Sequence, residues 1–147
     1  MPKLGDPTDF SYRINKVTKV VDGDTIDVII DMGFDIMYKS RVRLFGIDTP
    51  ESRTRNLDEK KRGLLAKKYL QEALKKGKAL SIKTYKDNET GKFGRILGDV
   101  FVDGKSINKQ MVVDYMAVPY YGQSKKAIEK LHEANRTTLI RQGKISG

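Results

Sequence analysis

The residues Arg41-Val42-Arg43-Leu44-Phe45-Gly46-Ile47-Asp48-Thr49-Pro50-Glu51 put guanidinium groups, a hydroxyl and two carboxylates three positions apart into one short stretch. Its first half alternates cation and apolar residue, the pattern of a strand with one buried face. Its second half is a stiff corner, because Pro50 fixes its own φ and keeps Thr49 out of the helical region. Taken alone, the stretch reads equally well as a charged hairpin corner. Three further groups accompany it: Asp22-Gly23-Asp24-Thr25, Lys92-Phe93-Gly94-Arg95, and the tyrosines Tyr115, Tyr120 and Tyr121.

Residue types that are missing narrow the chemistry. The chain has no cysteine, which excludes disulfides, zinc–thiolate sites and thiol nucleophiles. His132 is the single histidine, so histidine-based hydrolysis and sites needing two imidazoles are excluded as well. It reads as a surface or helix-packing residue. Any bound metal would be held by oxygens, which suits Ca²⁺, Mg²⁺ or Mn²⁺. A net charge of +10 and a pI near 9.7 favour a polyanionic partner, most simply a nucleic acid backbone, although part of the lysine is a solubilising coat. No apolar run is long enough to cross a bilayer, so no membrane partner is expected, and the protein reads as a monomer. The N-terminus lacks the apolar core of a secretion signal, which fits either an intracellular protein or one whose leader has been removed.

If the polyanion is also the substrate, hydrolysing a phosphodiester requires an activated water, neutralisation of charge on the phosphate oxygens, and in-line geometry. Arginine forks bind phosphate oxygens bidentately, a role suited to Arg43 and Arg95. Asp24 and Asp48, with the carbonyl or hydroxyl of Thr49, are candidates to hold a divalent cation. Glu51, on the same corner, could take the proton from water. Each group also has a plain structural reading. Asp-Gly-Asp-Thr is commonly a turn, Gly91 to Arg95 could be a hairpin tip, and the tyrosines could be packing. Asp99 reads as an outward-facing or hydrogen-bonded strand residue.

The elements that must position these groups follow from periodicity. Residues 1–10 read as a flexible lead-in and 11–147 as one domain. A β-rich run from Ser11 to Val21 is broken by Asp22-Gly23. The next strand puts Asp24, Ile26, Val28 and Ile30 on one face, and a third runs from Ile36 to Phe45, giving an antiparallel meander. Asp58-Glu59 opens a helix to about Lys76, with Leu64, Leu65, Tyr69, Ala73 and Leu74 on or near its apolar stripe and Gly77 as its stop. Strands follow at Ala79–Tyr85 and Gly94–Val102, the latter closed by Asp103-Gly104. Ser106 and Ser124 cap two further helices. On the last, Ala127, Ile128, Leu131, Ala134 and Leu139 are expected to face inward. The order implies an α+β fold: a five-stranded barrel of the oligonucleotide-binding (OB) type with three α-helices.

Taken together, Val21-Asp22-Gly23-Asp24-Thr25, Arg43-Leu44-x-x-Ile47-Asp48-Thr49-Pro50-Glu51, Lys92-Phe93-Gly94-Arg95, Asp103-Gly104-Lys105 and Asn108 resemble the motifs of the thermonuclease family, founded on the calcium-dependent staphylococcal nuclease. The resemblance runs from about Val17 to Arg136. It implies Ca²⁺ held by Asp24, Asp48 and the Thr49 carbonyl, Glu51 as general base, Arg43 and Arg95 on the phosphate, and Asp22 behind the metal ligands. It further implies cleavage of DNA and RNA at the bond to the 5′ oxygen, leaving 3′-phosphates. Lys92, Phe93, Tyr120 and Tyr121 would contact substrate. Phe93 stands where the founding enzyme has tyrosine, and the Pro119-Tyr120-Tyr121 segment also departs from it, with Tyr121 favoured over Tyr120 for base stacking. The expectation is a metal-dependent phosphodiesterase on single-stranded DNA and RNA. The alternatives are a non-catalytic OB module that binds single strands, and a scaffold domain.

Overall fold

In the computed structural model, which describes residues 10–85 and 95–147, the β-branched run after Phe10 forms strand β1, Phe10–Asp22. The Asp22-Gly23-Asp24 turn reverses it into β2, Thr25–Asp31, where Ile26, Val28 and Ile30 are buried and the residues between them are not. β3, Met37–Leu44, pairs antiparallel with β2 and completes the meander. A two-residue strand, β4 (Ile47–Asp48), follows the Phe45-Gly46 turn, and helix α1 spans Leu57–Lys76. β5, Leu80–Tyr85, pairs with the free edge of β1, and β6, Arg95–Val102, pairs with β5. Parallel pairing of β3 with β6 then closes five strands into a barrel, with Arg41 opposite Arg95 and Leu44 opposite Gly98. β7 (Lys105–Ser106), α2 (Ile107–Val113), β8 (Val118–Pro119) and α3 (Lys125–Arg141) complete the chain. The expected α+β architecture, a five-stranded OB-type barrel with three helices, is the one observed.

The barrel interior is filled by Ile26, Ile30, Val42, Leu44, Ile82 and Val100, each at most 1% exposed, with Leu70 of α1 and Met111 of α2 sealing it. Caps set the helix starts. Asn56 accepts from the N–H groups of Asp58 and Glu59, Ser106 from Lys109, and Ser124 from Ala127. Gly77 ends α1 in an extended conformation rather than the left-handed one common at such positions. Among the described residues no helix is long and apolar enough to cross a membrane.

Two helix faces differ from expectation. On α1 the buried residues are Arg62, Gly63, Ala66, Leu70 and Leu74, whereas Leu64 is half exposed. The small residues Gly63 and Ala66 carry little hydrophobic signal, yet they permit the closest approach to the barrel and so choose the face. On α3 only Leu139 of the expected stripe is fully buried, while Leu131 and Ala134 are exposed. The inward side is instead Ile128, His132, Asn135, Arg136 and Leu139, a 3.6-residue stripe made largely of polar groups.

α1 is tied to the end of α2 by the Tyr69 hydroxyl, which donates to Asp114, and by Gln110 Nε2, which donates to the same carboxylate at 3.1 Å. Partial burial and then the Asp114 carboxylate raise the Tyr69 hydroxyl above its ordinary value, while Tyr69 holds Asp114 below the usual carboxylate range. Tyr69→Phe should therefore cost about 1 kcal/mol near neutral pH. The Tyr69 contribution is complete below its ordinary value near 10 and is lost above it; that of Asp114 is complete above roughly pH 4 and lost below it. Thermal melts from pH 3 to 11 should show a constant difference from wild type across the middle, shrinking at both ends. A difference independent of pH would remove this pair from the stability of the fold.

Candidate active site

Asp24 ends the turn immediately before β2 and Arg43 lies near the end of β3, and pairing of Thr25 with Arg43 sets these side by side. The Phe45-Gly46 turn that carries β3 into Asp48 is braced on several sides. Phe45 N–H donates to Gly98 O at 2.8 Å, Tyr120 N–H to Gly46 O at 2.8 Å, and Leu44 N–H to Asp24 O at 2.8 Å. The buried Asn108 amide donates to Phe45 O at 2.9 Å and Gly98 O at 3.1 Å, and its oxygen accepts from Val100 N–H at 3.2 Å. These bonds leave the corner little freedom, so the groups it carries are preorganised.

Arg43 sits at the centre, with 15% of its side chain exposed. Its Nη1 donates to Leu44 O at 3.0 Å and Ile47 O at 2.9 Å and lies 3.4 Å from Asp24 Oδ2, while Nη2 lies 3.5 Å from Asp48 Oδ1. One guanidinium thus spans both aspartates. Asp24 also accepts from Thr25 Oγ1 at 3.0 Å and from Thr49 N–H at 3.3 Å. Asp22 accepts from Gly23 N–H at 3.0 Å. Gly23 is required by space: a Cβ there would stand 2.9 Å from both Ala66 Cβ and Thr49 Oγ1.

Glu51 faces an open polar cleft of about 590 Å³ lined also by Asp48, Thr49, Glu59, Tyr120 and His132. Its carboxyl is raised above its ordinary value, first by desolvation and then by the charges of Asp22, Asp24, Glu59 and Asp48. Gly63 of α1 lies against it so closely that a Cβ would fall 2.4 Å from the Glu51 carbonyl. Arg95, opposite Arg41, shares the outward side of the barrel with Arg43, because Val42 and Leu44, which alternate with Arg41 and Arg43 along β3, point inward. Lys92 and Phe93 lie outside the described residues. Tyr120 lines the cleft, and Tyr121 is 80% exposed outside it.

His132, expected on the surface or in helix packing, instead has its Nε2 2.8 Å from Asp48 Oδ2, and its buried Nδ1 has no partner among the described residues. Buried Arg62 lies 3.5 Å from both His132 O and Asp58 Oδ2, and Arg136 donates to Asp58 at 2.8 Å, so charge ties α3 to α1 beside the corner. The i, i+4 spacing of His132 and Arg136 was the one signal of this face. Asp99 accepts from Ser106 Oγ at 2.6 Å, a hydrogen-bonded strand residue as expected.

The donor set suits a hard cation: two aspartates drawn together by Arg43, and beside them the Thr49 hydroxyl, buried without a hydrogen-bond partner among the described residues. Among the described residues no three acids or histidines cluster closely enough to hold an ion by themselves. Asp24 and Asp48 would therefore need the Thr49 carbonyl and water to complete a shell.

Comparison with known proteins agrees with this geometry. The family described as "Staphylococcal nuclease homologue" matches residues 41–141. The chain is 34% identical over 99 residues to "Endonuclease YncB" of Bacillus subtilis (strain 168), an alignment covering 67% of this chain and 44% of that protein. It is 35% identical over 99 residues to the "SPbeta prophage-derived endonuclease YokF" of the same organism, covering 67% and 31%. It is 30% identical over 114 residues to "Protein ParB" of Escherichia coli, covering 71% and 56%. It spans less than half the length of either named endonuclease. By sequence and by fold, the chain belongs to the staphylococcal nuclease homologue family.

Proposed function

We propose that the chain is a metal-dependent nuclease that hydrolyses phosphodiester bonds of single-stranded DNA and RNA, with Ca²⁺ as the preferred ion and Mg²⁺ or Mn²⁺ compatible with its oxygen donors. The observation that carries this reading is the convergence of Arg43, Asp24, Asp48 and Glu51 on one braced corner of a strongly basic protein. A module that only binds polyanions gains nothing from three carboxylates brought together in this way.

Asp24, Asp48 and the Thr49 carbonyl would hold the ion, with Asp22 behind them. A bound divalent ion would supply charge neutralisation at the phosphate oxygens. Glu51, whose carboxyl is raised above its ordinary value by desolvation and then by the neighbouring acids, takes a proton from the attacking water. The water oxygen bonds to phosphorus as the bond to the 5′ oxygen breaks; that oxygen gains a proton and the phosphate stays on the 3′ side. Arg43 and Arg95 meet the negative charge on the equatorial oxygens. Lys92, Phe93 and Tyr120, with Tyr121 nearby, hold the strand.

The test is digestion of labelled oligodeoxynucleotides and oligoribonucleotides with Ca²⁺, Mg²⁺, Mn²⁺ or chelator, followed by identification of the ends. Cleavage with an added ion, none with chelator, and 3′-phosphate ends are expected. Binding without cleavage under every ion would leave the single-strand-binding module as the function. His132, donating to Asp48 Oδ2, fixes which oxygen of that carboxylate remains for other partners. Loss of such an orienting hydrogen bond typically costs about tenfold or more in metal affinity. His132→Ala should show that loss in calorimetric titration with Ca²⁺ while far-UV circular dichroism is unchanged; an unaltered affinity would make the contact incidental.

A further inference from the structure

One aromatic pair lies on the site side of the barrel and belongs to neither the core nor the catalytic corner. Phe45, two residues beyond Arg43, stacks on Tyr85 with ring centroids 4.2 Å apart and planes 13° from parallel. Tyr85 ends β5 opposite Leu97 of β6, and Leu97 is itself opposite Arg43 of β3. Ile82 points into the barrel, so Lys83 and Tyr85 point out, on the side that carries Arg43 and Arg95. Lys83 Nζ stands 5.7 Å from the centre of the Tyr85 ring.

Packing alone does not account for the pair. The barrel core closes through Val42, Leu44, Ile82 and Val100, and neither ring is part of that cluster. Phe45 remains 43% exposed, an apolar ring in water on the basic side of a protein of charge +10. Rings that present a π-face beside cations are the elements from which single-stranded nucleic acids are bound without sequence preference. Phe45 is also close to the phosphate-binding position, since two residues of chain span at most about 7 Å.

We propose that Phe45, backed by Tyr85 with Lys83 over the Tyr85 ring, forms a stacking platform for a nucleobase of the bound strand, next to the nucleotide held at Arg43. The platform extends the path of the strand from the corner across β6 toward β5. This rests on the reading of the chain as acting on nucleic acid, and it adds where a base beyond the cleavage point is received. The braced Phe45-Gly46 turn holds the ring in place, so little ordering entropy is lost when a base stacks on it.

The test uses single-stranded DNA octamers with 2-aminopurine placed at each position in turn, titrated into the whole protein in chelator so that they stay intact. One or two adjacent positions should lose emission severalfold on saturation. Phe45→Ala should restore that emission and raise Kd about tenfold, within the range for removing one aromatic stacking partner. Phe45→Leu keeps apolar volume against Tyr85 but has no ring. It should behave like Phe45→Ala, and it answers the question if the alanine variant melts early. Wild-type quenching and Kd in Phe45→Leu would overturn the platform and leave the ring as packing. The same protein is then assayed with divalent ions. Oligonucleotides bound and quenched through Phe45 but never cut would remove the nuclease reading and keep the platform. Cutting with no Phe45-dependent quenching would remove the platform alone, and no binding at all would remove both.

Discussion

Arg43→Lys should slow oligonucleotide hydrolysis by about 10³-fold, the scale seen when a positioned cation on a transferring phosphoryl group is lost. The geometry gives a reason beyond charge. The Nη1 edge of Arg43 is committed to the carbonyls of Leu44 and Ile47, and the same plane reaches Asp24 and Asp48 at 3.4 and 3.5 Å. A planar fork can hold the corner with one edge and present the other outward; an ammonium is a single point and cannot do both. Lysine should therefore fail twice, leaving two buried carbonyls short of a donor and the phosphate short of a bidentate partner. Single-turnover rates read the second loss, and thermal melting reads the first as about 1–2 kcal/mol. If the rate falls with stability unchanged, Arg43 serves the phosphate alone. Hydrolysis within threefold of wild type would take Arg43 out of the chemistry altogether.

The parts of this fold that could be read in advance are those where one residue states its own constraint. The alternation of Ile26, Val28 and Ile30, the caps Ser106 and Ser124, and the Pro50 corner all depend on neighbours in sequence. The misread parts depend on partners distant in sequence. Leu64 and Leu131 looked inward because apolar residues on α1 and α3 are spread around both helices. What chose the faces was Gly63 against Glu51, and His132 with Arg136 against Asp48 and Asp58. A glycine in a helix signals only weak propensity, and a histidine on a lysine-rich helix signals nothing until the aspartate opposite it is known. Within the site, the types of Asp24, Arg43, Asp48 and Glu51 suggested the chemistry. That a single guanidinium spans both aspartates while bonding two carbonyls could not be read from spacing, because β2 and β3 must first pair in the observed register.

Gly63→Ala supplies the sharpest conflict between local and tertiary preference. In an exposed helix interior this exchange favours the helix by about 1 kcal/mol. Here the added Cβ would stand 2.4 Å from the carbonyl carbon and oxygen of Glu51 and 2.6 Å from Ser52 N, so either α1 or the Pro50-Glu51-Ser52 segment must move. The barrel side of α1 is locked by Ala66 and Leu70, both fully buried, whereas Glu51 is itself exposed and belongs to no helix or strand, although Pro50 and Ser52 beside it are buried. The Glu51 segment should therefore be the part that yields. Overpacking of this kind costs about 1–3 kcal/mol, which outweighs the gain in helix propensity. A displacement of the catalytic carboxylate near 1 Å lowers the rate about 100-fold. The expected result is thus a lower melting temperature and a rate loss that resides in kcat, with oligonucleotide Kd near wild type, because the arginines and the strand-binding residues are untouched. A Gly63→Ala protein that melts higher and cleaves normally would mean that α1 shifts without carrying Glu51 with it, and that the glycine does not position the base.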